Sequence, residues 1–526
     1  MAEAEEEEDN PSNLFRDILI AISLKKDTYM NNIKNTLAII AFLTNGLALF
    51  AQDTYDAARF SQSDLNGTAR YVGMGGALSA LGGDISVMGT NPAGTAMFRK
   101  NEASVTFGAV MTSDGALGHD ATRMSIDNAG IVFATRYGSA NDPGLRFVNF
   151  GVNYKKNTNF LGNLKTGIDH LDGVFSQTNQ IADLANQAWD ADIWDGFLVD
   201  MAAPYYNDKN ELEFAGIIGE DEYGYFGIGA DKAEYHRATY GSNAQVDANL
   251  SFNVGDKYFF GVSVGAYSID YTRESFYTEL GVDGNYYDFS NWYETRGEGY
   301  DLKFGFICRP FDYSPFRFGI SIHTPTWYDL EDANGSTLYY NDEYVHSLSA
   351  DPFAYSYRTP WKFGISLGHT IGSYIALGAE YEFSDPSTAK YTSNGYNEDV
   401  YFRNINAITK ESLKGQSTIK LGMEIKPSDE ISVRVGYNFI SSPFKKDAYR
   451  TVLFDSPFTE TDFTNWGDTN RFTFGLGFRF KGGYIDMAYQ YTAQEGDFYA
   501  FDDIDLKPTK IENNRNQLLC TLGLRF

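Results

Sequence analysis

Many segments of this chain alternate strictly between apolar residues and polar or glycine residues. Successive residues of a β-strand point to opposite sides of its sheet, so each such segment predicts a strand with one apolar face. Segments 361–368, 375–383, 419–425 and 471–480 show the pattern most clearly. In 471–480 one face would carry Phe472, Phe474, Leu476, Phe478 and Phe480, and the other Arg471, Thr473, Gly475, Gly477 and Arg479. The alternation indicates an all-β fold.

Fourteen strands can be delimited after residue 101. Connections after the even strands are short and those after the odd strands are mostly long, the longest running from about 158 to 241. A soluble sandwich also alternates, but short turns on one side and long loops on the other are typical of outer-membrane barrels. Region 102–526 is therefore predicted to form a transmembrane antiparallel β-barrel. The predicted strands are 102–112, 123–137, 145–157, 242–253, 257–271, 296–309, 314–325, 359–370, 373–384, 415–426, 430–439, 470–480, 483–493 and 515–526.

Composition excludes several classes of function. A formal net charge of −28 opposes binding to the phosphates of nucleic acid. The two cysteines, Cys308 and Cys520, are too few for a disulfide framework and are expected to be isolated apolar residues. Six histidines form no metal-binding motif, and no catalytic constellation stands out. We predict a protein without enzymatic activity, metal or cofactor.

The N-terminal region is predicted to be a targeting segment rather than part of the fold. Residues 30–51 contain one basic residue, an apolar stretch and small residues near Ala51, as a secretory signal peptide does, with cleavage expected after Ala51. The acidic run 5–9 ahead of it opposes the usual polarity of such signals. We therefore interpret 1–29 as an upstream extension of a chain that starts at Met30; a functional acidic cap is the alternative.

Residues 52–101 do not alternate and are rich in glycine. Small residues permit close packing of the backbone and positive φ angles, which suits a compact plug better than another lipid-facing strand. A large barrel also leaves an aqueous hole unless something fills it. We predict that 52–101 forms a hatch inside the lumen; an unplugged periplasmic tail is the alternative. Its glycines are Gly67, Gly73, Gly75, Gly76, Gly82, Gly83, Gly89 and Gly94.

Five short motifs follow one another in this hatch: Gly67-Thr68-Ala69-Arg70, Gly75-Gly76-Ala77, Gly83-Asp84, Asn91-Pro92-Ala93-Gly94 and Met97-Phe98. They resemble the hatch of the FadL-type (FadL/TodX) outer-membrane transporters of long-chain fatty acids and other hydrophobic compounds. The resemblance covers the hatch closely and the rest of the chain by architecture. It implies a fourteen-stranded barrel, passive uptake of a hydrophobic ligand, and a hatch or gating role for Gly75, Gly76, Asn91, Pro92, Ala93 and Gly94.

Two regions supply candidate ligand contacts. Phe60 is the first large apolar residue after the predicted mature N-terminus, with packing against the inner wall as its alternative role. The 158–241 loop carries apolar residues near helical spacing. It is predicted to form either a cap packed on itself or an exposed apolar groove that captures the ligand. The candidates in this loop are Trp189, Trp194, Phe197 and Leu198.

Several positions predicted to face the lumen are charged, and an acyl chain would not be stable along them. The resemblance implies an answer, since in that family the ligand is proposed to bind near the hatch and to leave sideways through a gap in the wall. These positions are Asp301, Lys303, Lys362, Glu380, Glu382, Lys420, Glu424, Arg434, Arg471 and Arg479.

Taken together, these patterns predict passive, hatch-gated uptake of long-chain fatty acids or similar molecules across the outer membrane of a Gram-negative bacterium. Outer-membrane lipid and lipopolysaccharide would surround the barrel, and the terminal Phe526 resembles the signal read by the barrel assembly machinery. One alternative is a passive haem-binding or haem-uptake receptor, with His119, His170, His236 or His346 as candidate ligands. A structural or adhesive surface barrel is the other.

Overall fold

Fourteen strands close into one antiparallel barrel. The computed structural model describes residues 53–112, 115–138, 144–190, 202–216, 220–221, 224–225, 229–349, 352–393, 399–448, 463–501 and 505–526. Each strand pairs with the next, and the last pairs with the first from Glu102↔Arg525 to Thr112↔Arg515. The predicted fold is confirmed. The strands are β1 Glu102–Thr112, β2 Thr122–Arg136, β3 Leu145–Asn159, β4 Ala230–Val254, β5 Tyr258–Gly281, β6 Tyr286–Cys308, β7 Arg317–His323 with Trp327–Tyr340, β8 Phe353–Arg358 with Lys362–Ile371, β9 Ile375–Ser384, β10 Gln416–Ile425, β11 Ile431–Ile440, β12 Phe463–Phe480, β13 Gly483–Tyr499 and β14 Arg515–Arg525.

Some strands extend farther toward the long loops than the sequence pattern predicts. β4, predicted over 242–253, begins at Ala230, and β5, predicted over 257–271, ends at Gly281. Beyond Asp270 the outward positions of β5 mix polar and apolar residues (Thr272, Glu274, Phe276, Thr278 and Leu280), so the regular alternation ends there although the hydrogen-bonded ladder continues. Alternation therefore marks the part of each strand within the apolar band and misses these extensions.

An apolar band encircles the outer face of the barrel, because every strand exposes at least one large apolar side chain there. Such a continuous surface is unfavourable in water and indicates a lipid environment. The band includes Phe107, Phe133, Phe150, Leu250, Val262, Phe304, Ile320, Ile365, Leu377, Leu421, Val435, Phe474, Met487 and Leu522, taken in order from β1 to β14.

The band can be tested on β5, where Val262 and Ser268 both point outward. We expect Val262→Arg to cost about 2–4 kcal/mol of folding free energy, and Ser268→Arg about 0–1 kcal/mol, because only the first places a cation at mid-membrane depth. Reversible urea unfolding in lipid vesicles measures both. Equal costs for the two variants would contradict the assignment of the band.

The remaining elements lie inside the barrel or at its loop end. The hatch contains α1 Thr54–Ser61, α2 Ala69–Gly73 and the 3₁₀ helices Ile85–Gly89 and Pro92–Met97. The loop end carries α3 Gln177–Asp190, α4 Asp399–Ser412 and the 3₁₀ helix Pro386–Thr388. Among the described residues no helix is long and apolar enough to cross a membrane. The predicted extension 1–29 and signal peptide 30–51 lie outside the described residues. Short additional strands are Gly162–Ile168, Ala203–Tyr206, Leu212–Ala215, Glu220–Asp221, Gly224–Tyr225, Glu343–Ser349, Lys390–Thr392 and Thr509–Glu512.

Candidate functional site

The hatch fills the part of the lumen nearer the short turns, which we call the lower lumen. It fits there because part of the barrel wall has no side chains. Four inward glycines face one another across adjacent strands and form what we call the glycine belt: Gly368, Gly378, Gly422 and Gly436. A Cβ atom added at Gly378 would overlap the carbonyl oxygen of Ala77, and one at Gly422 would overlap that of Met74. The hatch backbone thus lies directly on the wall, as only glycine allows.

The predicted hatch motifs lie in this lower half. Gly75 and Gly76 have φ angles of +61° and +82°, which turn the chain against the belt. Asn91 caps the second 3₁₀ helix through the backbone N–H of Ala93 and donates its amide to the Ile320 carbonyl at 3.3 Å. Pro92 starts that helix. Gly94 and Ala93 are buried. These residues seat the hatch on the wall; their predicted gating role stays a prediction.

A buried ion network joins the lower hatch to the wall. Arg70 of α2 donates to Glu424 at 3.1 Å and to the carbonyl of Gly83 at 2.9 Å. Arg434 donates to Glu424 at 2.7 Å and to Asp486 at 2.6 Å, and its side chain is only 1% exposed. Charges buried at this level are tolerated because each contacts an opposite charge. This network fixes α2 in place.

The upper hatch, in contrast, packs against aromatic rings. Tyr293 donates to the carboxylate of Asp56 at 3.1 Å, and Tyr357 donates to the carbonyl of Ala57 at 2.9 Å. Phe60 is buried and lies edge-on to Tyr357 and Tyr271, with centroid distances of 6.3 and 6.0 Å. It also lines a cavity described below. Phe60 therefore packs on the inner wall, and its predicted contact with a ligand is untested.

The wall is interrupted between β2 and β3. The ladder that joins them runs from Arg136↔Phe147 to Asn128↔Lys155 and ends there. Beyond that point, residues 122–126 of β2 pair with β1, and residues 156–159 of β3 pair with β4. We call the interval between these two edges the seam. Met124 and Ile126 expose 82% and 49% of their surface beside it, so the seam opens at an apolar part of the outer face.

Residues 62–66 of the hatch occupy the seam from the inside. The Asp64 N–H donates to the Asn157 carbonyl at 2.9 Å, and the Asn159 N–H donates back to the Asp64 carboxylate at 2.9 Å. The Asn66 amide donates to the Lys156 carbonyl at 3.0 Å. Gln62 accepts from the Thr158 hydroxyl at 3.2 Å. This segment thus bonds to the edge of β3 that β2 leaves free.

Two arginines hold Asp64 in that position. Arg515 of β14 lies 3.1 Å from one carboxylate oxygen and Arg471 of β12 lies 3.3 Å from the other. Arg515 also donates to the Asn159 carbonyl at 3.0 Å, and Arg471 donates to Asn438 at 3.2 Å. Asp64 therefore joins the edge of β3 to β12 and β14 through one carboxylate.

Residues 62–64 line two cavities, one on each side of them. The inner cavity, of about 90 Å³, is polar and includes the ammonium groups of Lys155 and Lys362. Within the described part of the chain, neither lysine forms an ion pair. The outer cavity, of about 190 Å³, has a mixed lining with more polar than apolar surface. Its aromatic and aliphatic residues include Tyr55, Phe160, Leu161, Leu164, Tyr271, Phe444 and Trp466, and its charged residues include Arg59, Arg237, Arg471, Glu512 and Arg515.

The predicted ligand-capturing loop is described only in part. Helix α3 buries Ile181 and Ala185, as a cap packed on itself would. The side chain of Trp189 and all of Trp194, Phe197 and Leu198 lie outside the described residues. Their candidacy as ligand contacts is therefore unchanged.

A buried carboxylate anchors α3. Glu279, on the outer extension of β5 beyond the apolar band, accepts from the hydroxyls of Ser176 at 2.5 Å and Tyr277 at 2.6 Å. It also accepts from the Gln177 N–H at the start of α3, at 2.9 Å. Burial raises the pKa of Glu279 to about 7, although these three donors act in the opposite direction. The docked helix thus favours the protonated carboxyl.

The raised pKa of Glu279 predicts how the docking of α3 depends on pH. A raised pKa in the docked state means that docking is most stable below the ordinary pKa of 4.5 and weakens as the pH rises through about 7. We expect amide hydrogen exchange in α3, corrected for its intrinsic pH dependence, to accelerate between pH 5 and pH 8. Glu279→Gln should remove this dependence. A Glu279→Gln profile parallel to that of the wild type would contradict the assignment.

The three candidate haem ligands whose side chains are described, His119, His170 and His236, each have a different partner. His119 lies 3.2 Å from Glu274 and stacks on Tyr240. His170 contacts the Lys507 carbonyl at 2.7 Å, and His236 lies 3.8 Å from Glu234. The side chain of His346 is outside the described residues. The described histidines do not favour the haem alternative.

Comparisons with known proteins give similar structures only. No family model matches the chain, and no curated protein sequence matches it. Solved structures similar to it include a Pseudomonas aeruginosa FadL homologue, with 13% identity and a TM-score of 0.47, covering 88% of this chain and 99% of that one. The Ralstonia pickettii toluene transporter TbuX has 14% identity and a TM-score of 0.45 over 88% and 99%. The Pseudomonas putida toluene transporter TodX has 12% identity and a TM-score of 0.46, covering 88% of this chain and 98% of that one.

These proteins are of the class that the hatch motifs indicated. At such identities and scores, however, the likeness does not locate a ligand site in this chain.

Proposed function

We propose that this chain is a passive, hatch-gated channel in the outer membrane of a Gram-negative bacterium that takes up long-chain fatty acids or other hydrophobic small molecules and releases them sideways. The observation that carries the proposal is the seam between β2 and β3, which is sealed by residues 62–66 of the hatch rather than by the wall itself. Withdrawal of a segment that is not part of the ladder opens a path without breaking the barrel.

An axial path through the lower lumen is unfavourable by comparison. The glycine belt and the hatch backbone are in direct contact, and the network around Arg434 places buried charges at that level. A ligand passing this level would have to separate these buried ion pairs, which is strongly unfavourable. A lateral path instead leads to the apolar band, where each buried CH₂ contributes about 0.8 kcal/mol. Uptake therefore needs no energy source other than partition into the membrane.

The two halves of the hatch differ in role. Gly75, Gly76 and the Asn91–Gly94 turn hold the lower half, whereas α1 and residues 62–66 move. Phe60, at the end of α1, would contact the ligand as the upper half withdraws, and Trp189, Trp194, Phe197 and Leu198 would meet it earlier, at the loop end. Outer-membrane lipid and lipopolysaccharide would cover the band, and the barrel assembly machinery would insert the chain.

A photoreactive fatty acid tests the route. Native outer membranes are loaded with a diazirine-labelled long-chain acid, irradiated, and the adducts are mapped by peptide mass spectrometry. A lateral route predicts adducts on residues 122–127 and 156–159, at the two edges of the seam. Adducts confined to the periplasmic turns, such as 253–257, would support axial exit and contradict the proposal. Absence of saturable labelling would favour a structural or adhesive barrel.

A further inference from the structure

The group that closes the seam is itself a carboxylate bound to arginine. Asp64 contacts Arg471 and Arg515, and both arginines also line the outer cavity. A carboxylate arriving in that cavity would meet the same donors, with the geometry that guanidinium groups offer to any carboxylate. A ligand carboxylate would therefore compete with Asp64 for the arginine contacts that hold the gate closed.

We propose that the gate opens by carboxylate exchange: the carboxylate of an acidic ligand replaces Asp64 on Arg471 and Arg515, and this releases residues 62–66 from the seam. The inference rests on the proposed function and adds a ligand class, an acid with an apolar tail. Charge is conserved at the arginine pair, because one carboxylate leaves as another binds. No covalent bond is made or broken.

The surroundings of the two arginines fit such a ligand. The outer cavity adds Phe160, Leu161, Leu164 and Phe444 to the guanidinium groups, so the first carbons of an acyl chain would be buried while the head group is bound. Its volume of about 190 Å³ accommodates a head group and a short length of chain, not a whole long-chain acid. The rest of the tail then requires the space that the withdrawing segment vacates.

The displaced carboxylate also has a destination. Asp64 lines the inner cavity as well as the outer one, and the inner cavity holds Lys155 and Lys362, which lack an ion pair among the described residues. An anion turned toward these ammonium groups would be stabilised by them. Because Asp64 supplies both an N–H and a carboxylate to the edge of β3, its departure removes two of the bonds that close the seam.

The exchange is tested by the accessibility of the closing segment. Ser63→Cys supplies a thiol on that segment in a background with Cys308→Ser and Cys520→Ala, and a water-soluble maleimide reports its exposure in lipid nanodiscs. Decanoate is compared with decan-1-ol, which has the same tail length without the charge, and with acetate, which has the charge without the tail. Loss of two charge-assisted contacts should raise the labelling rate by about tenfold or more.

We expect decanoate alone to produce this rise. In Asp64→Asn, labelling should be fast without any ligand and decanoate should add nothing. If decan-1-ol accelerates labelling as much as decanoate does, or if Asp64→Asn is labelled at the wild-type rate, the exchange is wrong. Uptake of labelled oleate by cells separates failure of the exchange from failure of the proposed function. If cells take up oleate but decanoate and decan-1-ol accelerate labelling equally, only the exchange is wrong. If cells take up no oleate, both the exchange and the proposed function are wrong.

Discussion

Valine at Gly378 and Gly422 together should displace the hatch and convert a closed barrel into an open pore. A Cβ atom at either position meets a backbone carbonyl of the hatch, Ala77 or Met74, which cannot rotate away. Each overlap costs about 1–3 kcal/mol. Because about 1.4 kcal/mol corresponds to a tenfold change in population, the population of the state with the hatch displaced should rise about tenfold or more. Single-channel conductance in planar bilayers measures the change.

The matched control is Gly364→Val on β8. Gly364 is also an inward glycine, but a Cβ atom there meets the side chain of Ser321, which belongs to the wall. This variant should keep the conductance of the wild type. A folded Gly378→Val/Gly422→Val barrel that conducts no more than the control would mean that the belt is not the seat of the hatch.

Replacement of Arg434 by methionine should be the most damaging single substitution in the lumen. It removes the cation that contacts the Glu424 and Asp486 carboxylates, in a site where the arginine side chain is only 1% exposed. Removing one partner of a buried ion pair costs about 3–5 kcal/mol. Reversible urea unfolding in lipid vesicles gives the loss in free energy of unfolding.

Two further variants make the result specific. Adding Glu424→Gln and Asp486→Asn removes the charges that Arg434→Met leaves uncompensated, and should recover part of the lost stability. Arg296→Met removes a cation that is 67% exposed beside Asp270 and should cost about 0–1 kcal/mol. A cost for Arg434→Met as small as that for Arg296→Met would contradict the structural role of the network.

The barrel could be predicted from sequence because lipid imposes a period of two on every strand that it contacts. In 471–480, five apolar residues fall on one face, and the structure places all five outward. The hatch could be predicted because its glycines and the Asn91–Gly94 turn depart from that period. The inward glycines, such as Gly422, also carried a signal, since small residues on the luminal face permit a plug.

The seam could not be predicted in this way. Both β2 and β3 alternate in sequence, and nothing in either pattern shows that their ladder stops at Asn128 and Lys155. Asp64 lies in a region without periodicity, and Arg515 is one polar residue among several in the last strand. Their meeting depends on contacts between residues more than 400 positions apart. Such pairing is a property of the closed fold, which local patterns do not encode.

The central claim, that the upper hatch must move for uptake, can be tested by fixing it. The hydroxyls of Thr54 in α1 and Thr409 in α4 lie 3.2 Å apart, so Thr54→Cys/Thr409→Cys offers a reversible disulfide in the cysteine-free background. Thr106→Cys/Thr521→Cys, from hydroxyls 2.8 Å apart, joins β1 to β14 within the wall and serves as the control.

Uptake of labelled oleate by cells is then measured before and after reduction. We expect the oxidised Thr54→Cys/Thr409→Cys protein to take up no oleate, reduction to restore uptake, and the control to transport in both states. Undiminished uptake with α1 covalently fixed to α4 would contradict the claim that the upper hatch must move.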